Sequence, residues 1–342
     1  MNNGSHSTQN PVRVALLLGG DSSERAISIK TGNAMRDALD DARFHVETFD
    51  VASFQSEKVD GATFVSWRDL TTILIDFDVV LSGLHGGWGE DGTLQSLLEI
   101  VGVPYVGSGQ RASTIAMDKQ LCKTFLREFG LTVPRGVVVI DEDAARPFSG
   151  SCVVKPNDGG SSVGVTILGE NSDENAWRQA LRDGLREGAI LVEEAVVGTE
   201  VTCPVWGEGD LARALPVIEI VPQSDGNFYD FAAKYALGGS QHLIPPRLSE
   251  SVQQRVQNDA LKAHRALGCR GVSRSDFLVK SDGTPVFLEI NTLPGMTETS
   301  LVPDAARAAG ITFPQLIQSL VDDALRSISS TRLASQEAGE NR

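Results

Sequence analysis

The sequence predicts a mixed α/β protein (α+β in its later part), and three observations carry that expectation. An apolar run, VRVALLL, ends at Gly19 and Gly20 and leads into a helix-like stretch. A second unit, DVVLSGLHG followed by TLQSLLEIVG, repeats the strand-to-helix order, which implies parallel strands covered by helices. From about residue 108 the pattern changes to short strands interspersed with helices, a small mixed domain of a different kind.

Taken in order, residues 11–107 read as a first domain. Its opening helix has Ser22 and Ser23 as candidate caps, and TLQSLLEIVG closes at Gly102. The glycine turn is not GxGxxG, so it marks no dinucleotide site. Residues 108–193 read as a central domain: a helix carrying AMDKQLCKTFLREFG, short strands at VVVI, CVVKP, VGVTIL and ILVEEA, and a helix near residues 173–187. Residues 194–330 form a third domain. It holds strands at EVTCPVW and ALPVIEI, a polar excursion from Pro222 to Pro246, and a helix over 249–267 that ends at Gly268. A connection as long as that excursion is usually functional or disordered. RSDFLV and VFLEIN then form a hairpin. The last helix repeats Phe313, Leu316, Ile317, Leu320, Val321, Ala324 and Leu325 at three- and four-residue steps, the period of a packed face. Residues 1–10 and 331–342 are polar and read as flexible ends.

The chain is long enough for two or three cores. Its formal charge of -15 argues against nucleic-acid and anionic-membrane partners, whose affinity depends on clustered Lys and Arg. No apolar run reaches membrane-spanning length, and the start lacks the basic and apolar segments of a signal peptide, so a cytoplasmic protein is expected. Cys122, Cys152, Cys203 and Cys269 are far apart, without CxxC spacing, and read as reduced, structural thiols.

The hairpin is the richest segment. Glu289 and Asn291 are two residues apart in a strand and so share a face, while Asp276 lies similarly on the preceding strand, just after Arg274. Two carboxylates and an amide form a hard, oxygen-only donor set, suited to Mg2+ held against nucleotide phosphates. Lys155 ends an apolar run and is followed by NDGGSSVG, where Gly159, Gly160, Ser161 and Ser162 offer donors to phosphate; a plain hairpin tip is the alternative. Lys119 is a second phosphate candidate or a surface lysine. Glu24 lies at the carboxyl edge of the parallel sheet and suits a substrate ammonium, or else a helix start. His85 ends another strand and either meets the same pocket or is structural. Glu193 and Glu194 suit an adenine amino group or ribose hydroxyls. Tyr229, Lys234 and Tyr235 lie in the long excursion, where a lid would be placed.

With these residues assembled, the chain resembles the D-alanine:D-alanine ligases of the ATP-grasp superfamily from about residue 12 to 326. The motifs are LLLGGDSSER, LHGGWGEDGTLQ, AMDK, VVKPNDGGSSVG, VEEAVVGTEVT, YDFAAKY, SRSDFLV and LEINTLPGMTETSLVP. The resemblance implies a three-domain ATP-grasp architecture with two domains clasping ATP. It implies ATP and two Mg2+ ions, with Mn2+ as an alternative, held by Asp276, Glu289 and Asn291. Lys119, Lys155, Ser161, Ser162, Tyr229 and Lys234 would serve the phosphates and the nucleotide, Glu193 with Ala195 and Val196 the adenine, and Glu200 the ribose. Glu24 and His85 would form the first D-alanine subsite. Arg274 and the N–H of Gly295 would stabilise the oxyanion, and Ser300 with the N–H of Leu301 would hold the second D-alanine. Tyr235, bonded to Ser161 and Glu24, would close the site; a Tyr here matches the dipeptide-forming members. A homodimer is the family expectation. Ligases that join D-alanine to D-serine, D-lactate or another acceptor are the rival reading.

Overall fold

The structure, a computed structural model, describes residues 10–55, 57–159, 164–222 and 240–340. The first domain contains β1 (Val12–Gly19), α1 (Arg25–Asp37), β2 (Phe44–Ala52), β3 (Thr63–Ser66), α2 (Leu70–Leu74), β4 (Val79–Ser82) and α3 (Thr93–Val101). Its four strands are parallel in the order β3-β2-β1-β4. Alternation along β1 explains the layering: Val14 and Leu16 pack into one apolar cluster, Ala15 and Leu17 into another on the opposite face. A strand buried on both sides needs the continuous apolar run that the sequence supplies. The start of α1 differs from expectation. The capping position falls on Glu24, while Ser22 instead accepts from the Glu24 N–H and donates to the His85 carbonyl.

The single helix expected around AMDKQ is two. α4 (Gln110–Met117) ends at Asp118, whose backbone is extended, and α5 (Lys119–Glu128) begins there with the Asp118 carboxylate accepting from Leu121 N at 2.8 Å. One aspartate thus closes a helix and caps the next. The central sheet is antiparallel, β5 (Gly136–Val139), β6 (Cys152–Pro156), β7 (Thr166–Leu168) and β8 (Ile190–Glu194) in the order β5-β8-β6-β7. α6 (Glu174–Gly184) covers it with the fully buried Trp177.

The third sheet comprises β9 (Thr199–Trp206), β10 (Arg213–Ala214), β11 (Ile218–Pro222), β12 (Ser240–Leu243), β13 (Val272–Val279) and β14 (Pro285–Asn291). It runs β12-β11-β9-β13-β14, with β10 beside β9; the strand expected at ALPVIEI is interrupted between β10 and β11. α7 (Glu250–Leu267) packs Val256, Ala260 and Ala263 against this sheet in one cluster with Ala112, Ala116, Cys122 and Leu126 of α4 and α5. The two helices placed with the central domain by sequence therefore share their core with the third sheet. α8 (Leu301–Ala308) and α9 (Phe313–Glu340) follow; α9 packs Leu316, Ile317, Leu320 and Val321 against the first domain. α9 continues beyond residue 330, where a flexible end was expected, and residues 1–9 of the other expected end lie outside the described residues. All four cysteines are buried and unpaired.

His264 of α7 is fully buried, with Nδ1 2.7 Å from Ser273 Oγ and Nε2 3.1 Å from the Gly207 carbonyl. The neutral ring satisfies both contacts, accepting at Nδ1 and donating from Nε2. Burial lowers its pKa from 6.5 to about 4, against the opposing pull of the Gly207 bond. The unfolded chain therefore takes up a proton that the folded one refuses, so this contribution to stability is complete above pH 6.5 and is lost as pH falls towards 4. Thermal midpoints measured across that window will fall in the native protein and fall less steeply in His264→Gln.

Candidate active site

The β13–β14 register builds the centre of the site. Arg274 pairs with Asn291 and Asp276 with Glu289, with an irregularity in register just beyond, between Asp276 and Phe277. Directly paired residues lie on the same face, so all four side chains point one way. Arg274 forks onto Asp276 through Nε and Nη2 at 2.9 and 2.8 Å, and Thr202 of β9 donates to Asp276 Oδ1 at 2.5 Å. The Asn291 side-chain oxygen accepts from Leu293 N at 2.8 Å. Among the described residues, no three His, Cys, Asp or Glu side chains converge into a ready-made metal centre. Asp276, Glu289 and Asn291 offer oxygen donors of the kind Mg2+ takes but too few for an octahedral shell, so phosphate and water oxygens would have to complete it. The donor set thus fits a metal that arrives with a nucleotide.

A row of lysines faces these acids. Lys119, the first residue of α5, is 7% exposed; its Nζ contacts the Gly159 carbonyl and lies 3.9 Å from Glu289 Oε2. The loop after β6 holds that helix start in place: Asn157 accepts from Lys119 N through its carbonyl at 3.0 Å and from Gln120 N through its side chain at 3.1 Å. Lys155 of β6 is 2.7 Å from Glu193 Oε2 on the neighbouring strand β8. The other oxygen of Glu193 contacts Lys123, a fully buried residue of α5. Burial opposes the charge on Glu193, but Lys155 and Lys123 together hold its carboxyl below the usual range. For Lys123, burial and then the charge of Lys155 push the ammonium below the usual lysine range, against the pull of Glu193. Ser113, Met117, Lys119, Gly159, Glu289 and Asn291 line a common cavity, which Glu90 of the first domain also reaches.

On the first-domain side, Glu24 is buried where β1 turns into α1. A Cβ on Gly86 would stand 2.9 Å from Glu24 Oε2, and Gly86 has a φ of +66, so a glycine is needed there on both counts. His85 is also buried, with Nε2 2.9 Å from Thr31 Oγ1 and Nδ1 3.4 Å from Glu90 Oε1, which itself accepts from Gly86 N at 2.9 Å. Glu24 and His85 therefore stand on two neighbouring loops, after β1 and after β4.

The segment after β14 forms the remaining wall. Ser300 stands at the cap position of α8 but turns its Oγ backwards, 3.1 Å from Thr297 N and 2.8 Å from Thr297 Oγ1. A Cβ on Gly295 would lie 3.2 Å from Ser300 Oγ, so Gly295 leaves room for that hydroxyl. Leu301 begins α8, where helix N–H groups lack intrahelical acceptors. Ala195 and Val196 follow β8 half-buried; the Ala195 N–H already donates to the Ser151 carbonyl at 2.9 Å, so a ligand contact there falls to its carbonyl. Glu200 is half-buried on β9 and Glu194 pairs with Arg135. Ser161, Ser162, Tyr229, Lys234 and Tyr235 lie outside the described residues.

Sequence reasoning missed Lys123, Glu90, Asn157 and Thr202. Lys123 carried a signal, since it lies four residues after Lys119 and so on the same helical face. Thr202 carried none, because only the pairing of β9 with β13 sets it opposite Asp276.

The chain matches known proteins along most of its length. Residues 13–108 match the family model described as D-ala D-ala ligase N-terminus, and residues 140–322 that described as D-ala D-ala ligase C-terminus. The chain is similar to a D-alanine:D-alanine ligase of Methylorubrum populi, 45% identical over 91% of this chain and 97% of the relative. One of Halalkalibacterium halodurans is 42% identical over 92% of this chain and 100% of the relative. Among solved structures, the D-alanine:D-alanine ligase of Bacillus anthracis complexed with ATP superposes with a TM-score of 0.77 and 32% identity, covering 94% of this chain and 100% of that one. The VanG D-Ala:D-Ser ligase of Enterococcus faecalis gives a TM-score of 0.74 at 25% identity, covering 92% and 99%.

Thr202→Val will remove a buried hydrogen bond to a carboxylate that Arg274 still holds. Urea denaturation should show a loss of about 1–2 kcal/mol, smaller than for removing either member of the Arg274–Asp276 pair.

Proposed function

The chain belongs to the D-alanine:D-alanine ligase family, and on that premise we propose what each part of the cleft does. It is an ATP-dependent ligase of the ATP-grasp fold, joining two D-alanine molecules into D-alanyl-D-alanine for peptidoglycan synthesis, with release of ADP and phosphate. The observation that supports the residue roles most directly is the β13–β14 register, which sets Arg274, Asp276, Glu289 and Asn291 on one face beside two buried lysines.

A carboxylate is a poor electrophile, so the first D-alanine is phosphorylated by ATP to an acyl phosphate. The amine of the second D-alanine then attacks the carbonyl, and the tetrahedral species that results expels phosphate. Glu24, with His85 beside it, receives the ammonium of the first D-alanine. Lys119 and Lys155 bind phosphate oxygens, with Ser161 and Ser162 closing over them and Lys234 approaching the transferred group. Asp276, Glu289 and Asn291 hold Mg2+, which when bound neutralises phosphate charge and aligns the transfer. Glu193, Ala195 and Val196 line the adenine and Glu200 the ribose, with Tyr229 a further nucleotide contact. Arg274 and the Gly295 N–H stabilise the developing oxyanion. Ser300 and the Leu301 N–H hold the acceptor carboxylate at the start of α8, where the helix dipole favours an anion. Tyr235 closes the site, keeping water from the acyl phosphate.

D-alanine is the favoured acceptor, since the relatives 40–45% identical over most of the chain are named for it. Among the described residues no helix is long and apolar enough to cross a membrane, and we place the enzyme in the cytoplasm, as a homodimer.

ADP release by the purified protein with ATP, Mg2+ and D-alanine, with products identified by mass, tests the reading. The dipeptide is the expected product. A D-serine or D-lactate adduct formed in preference would move the chain to the rival ligases, and absence of D-alanine-dependent ADP would sink the assignment. Glu289→Ala should lose nearly all Mg2+-dependent turnover while its circular dichroism and thermal midpoint stay near native; full activity in a folded variant would remove the metal role.

A further inference from the structure

We propose that Lys123 is a positioning residue of the nucleotide site: the standing counter-ion of Glu193, which leaves Lys155 able to bind phosphate. The proposal rests on the reading that this cleft binds ATP.

Lys123 is 1% exposed, on the buried face of α5 together with Lys119, Cys122 and Leu126. A lysine so placed is rare unless paired, and its ammonium meets one oxygen of Glu193 while Lys155 meets the other at 2.7 Å. Glu289 acts electrostatically on Lys155 and lies 3.9 Å from Lys119. The charges thus alternate from the interior to the metal-type acids: Lys123, Glu193, Lys155, Glu289, Lys119.

That alternation matters when a phosphate enters. With Lys155 as its only partner, Glu193 would have to give up its counter-ion to the ligand and remain as an uncompensated buried charge, the expensive way to break a buried pair. Phosphate would then compete with Glu193 for one ammonium. With Lys123 in place, Glu193 keeps a partner while Lys155 turns to the ligand. At the outer end of the row, a metal ion held by Glu289 would leave Lys119 available to phosphate. A purely structural role explains Lys123 less well, because an apolar side chain of similar length fills such a space at lower desolvation cost.

The test uses the full-length enzyme and four variants, Lys123→Met, Lys123→Arg, Glu193→Gln and the double Lys123→Met/Glu193→Gln, each followed by thermal melting and steady-state kinetics. In Lys123→Met the KM for ATP should rise about tenfold, with both D-alanine KM values within about twofold of native, and Lys123→Arg should recover most of the ATP affinity. Neutralising Glu193 removes the competition, so the double variant should match Glu193→Gln in its KM for ATP. A folded Lys123→Met with native KM for ATP would overturn the proposal, as would a double variant whose KM rises well above that of Glu193→Gln. If Lys123→Met fails to fold, the double variant, which buries no net charge at this pair, decides alone by the same comparison. A native protein that neither binds ATP nor forms dipeptide would instead overturn the functional reading, an outcome separate from any of these.

Discussion

The pairing of β13 with β14 is the constraint from which the site follows. A hairpin shifted by one residue would send Glu289 and Asn291 into the apolar side of the sheet, where Phe277, Phe287 and Ile290 pack, and bring those side chains into the cleft. The register is held from both sides: β9 pairs along the whole of β13, and the Phe277–Phe287 edge-to-face contact fills the opposite face. Apolar packing on one surface therefore fixes polar geometry on the other. Thr202 and Arg274 then hold Asp276 from two directions, so that its orientation precedes any ligand.

Electrostatics explain how a chain of charge -15 can bind a polyanion. Global charge acts through screened water, whereas the lysines here lie in low dielectric within contact distance of their partners. Lys119 and Lys123 are buried, Lys155 is partly buried, and they face Glu193 and Glu289, three positive groups against two negative. The local excess of positive charge is small, and the carboxylates prevent mutual repulsion of the lysines from opening the site. In the proposed site a phosphate and a metal ion would enter such an array by exchanging partners, lysine for phosphate and carboxylate for metal, which would disturb the buried charge balance less than adding an anion alone.

The strand-rich parts of the fold were legible because their signals are local. Alternation in β14, the glycine stops at Gly102 and Gly268 and the period of α9 each depend on residues close in sequence. The same is true of the oxygen-donor set, two residues of which share one strand. The break at Asp118 was not legible, since AMDKQLCK continues a helical pattern across it and only the cap geometry with Leu121 ends one helix and starts another. Nor was the burial of Lys123. Its spacing from Lys119 gives only its helical face, and the acid that receives it stands on β8, seventy positions away in the chain. Glu90 was read only as part of a motif, and its contact with His85 needed the turn at Gly86 to fold back.

The first domain contributes through a similar economy of fixed points. Arg25 forks onto Asp50 of β2 at 2.8 Å through both terminal nitrogens, and Asp50 is almost fully buried. Paired charged hydrogen bonds of this kind restrict rotation as well as distance. They lock the first residue of α1 to the sheet, and Glu24 is the residue immediately before it. Gly19 makes the fork possible, for a Cβ there would stand 2.1 Å from Asp50 Oδ1 and 2.5 Å from Arg25 Nη1. Glu24, proposed above to meet the substrate ammonium, is thus next in the chain to a residue that the sheet holds in place. The segment after β14 uses the same device at Gly295, where room for the Ser300 hydroxyl shapes the opposite wall. Glycines in the two walls have a common physical role: at Gly19 a Cβ would overlap the Arg25–Asp50 pair, and at Gly295 it would crowd the Ser300 hydroxyl.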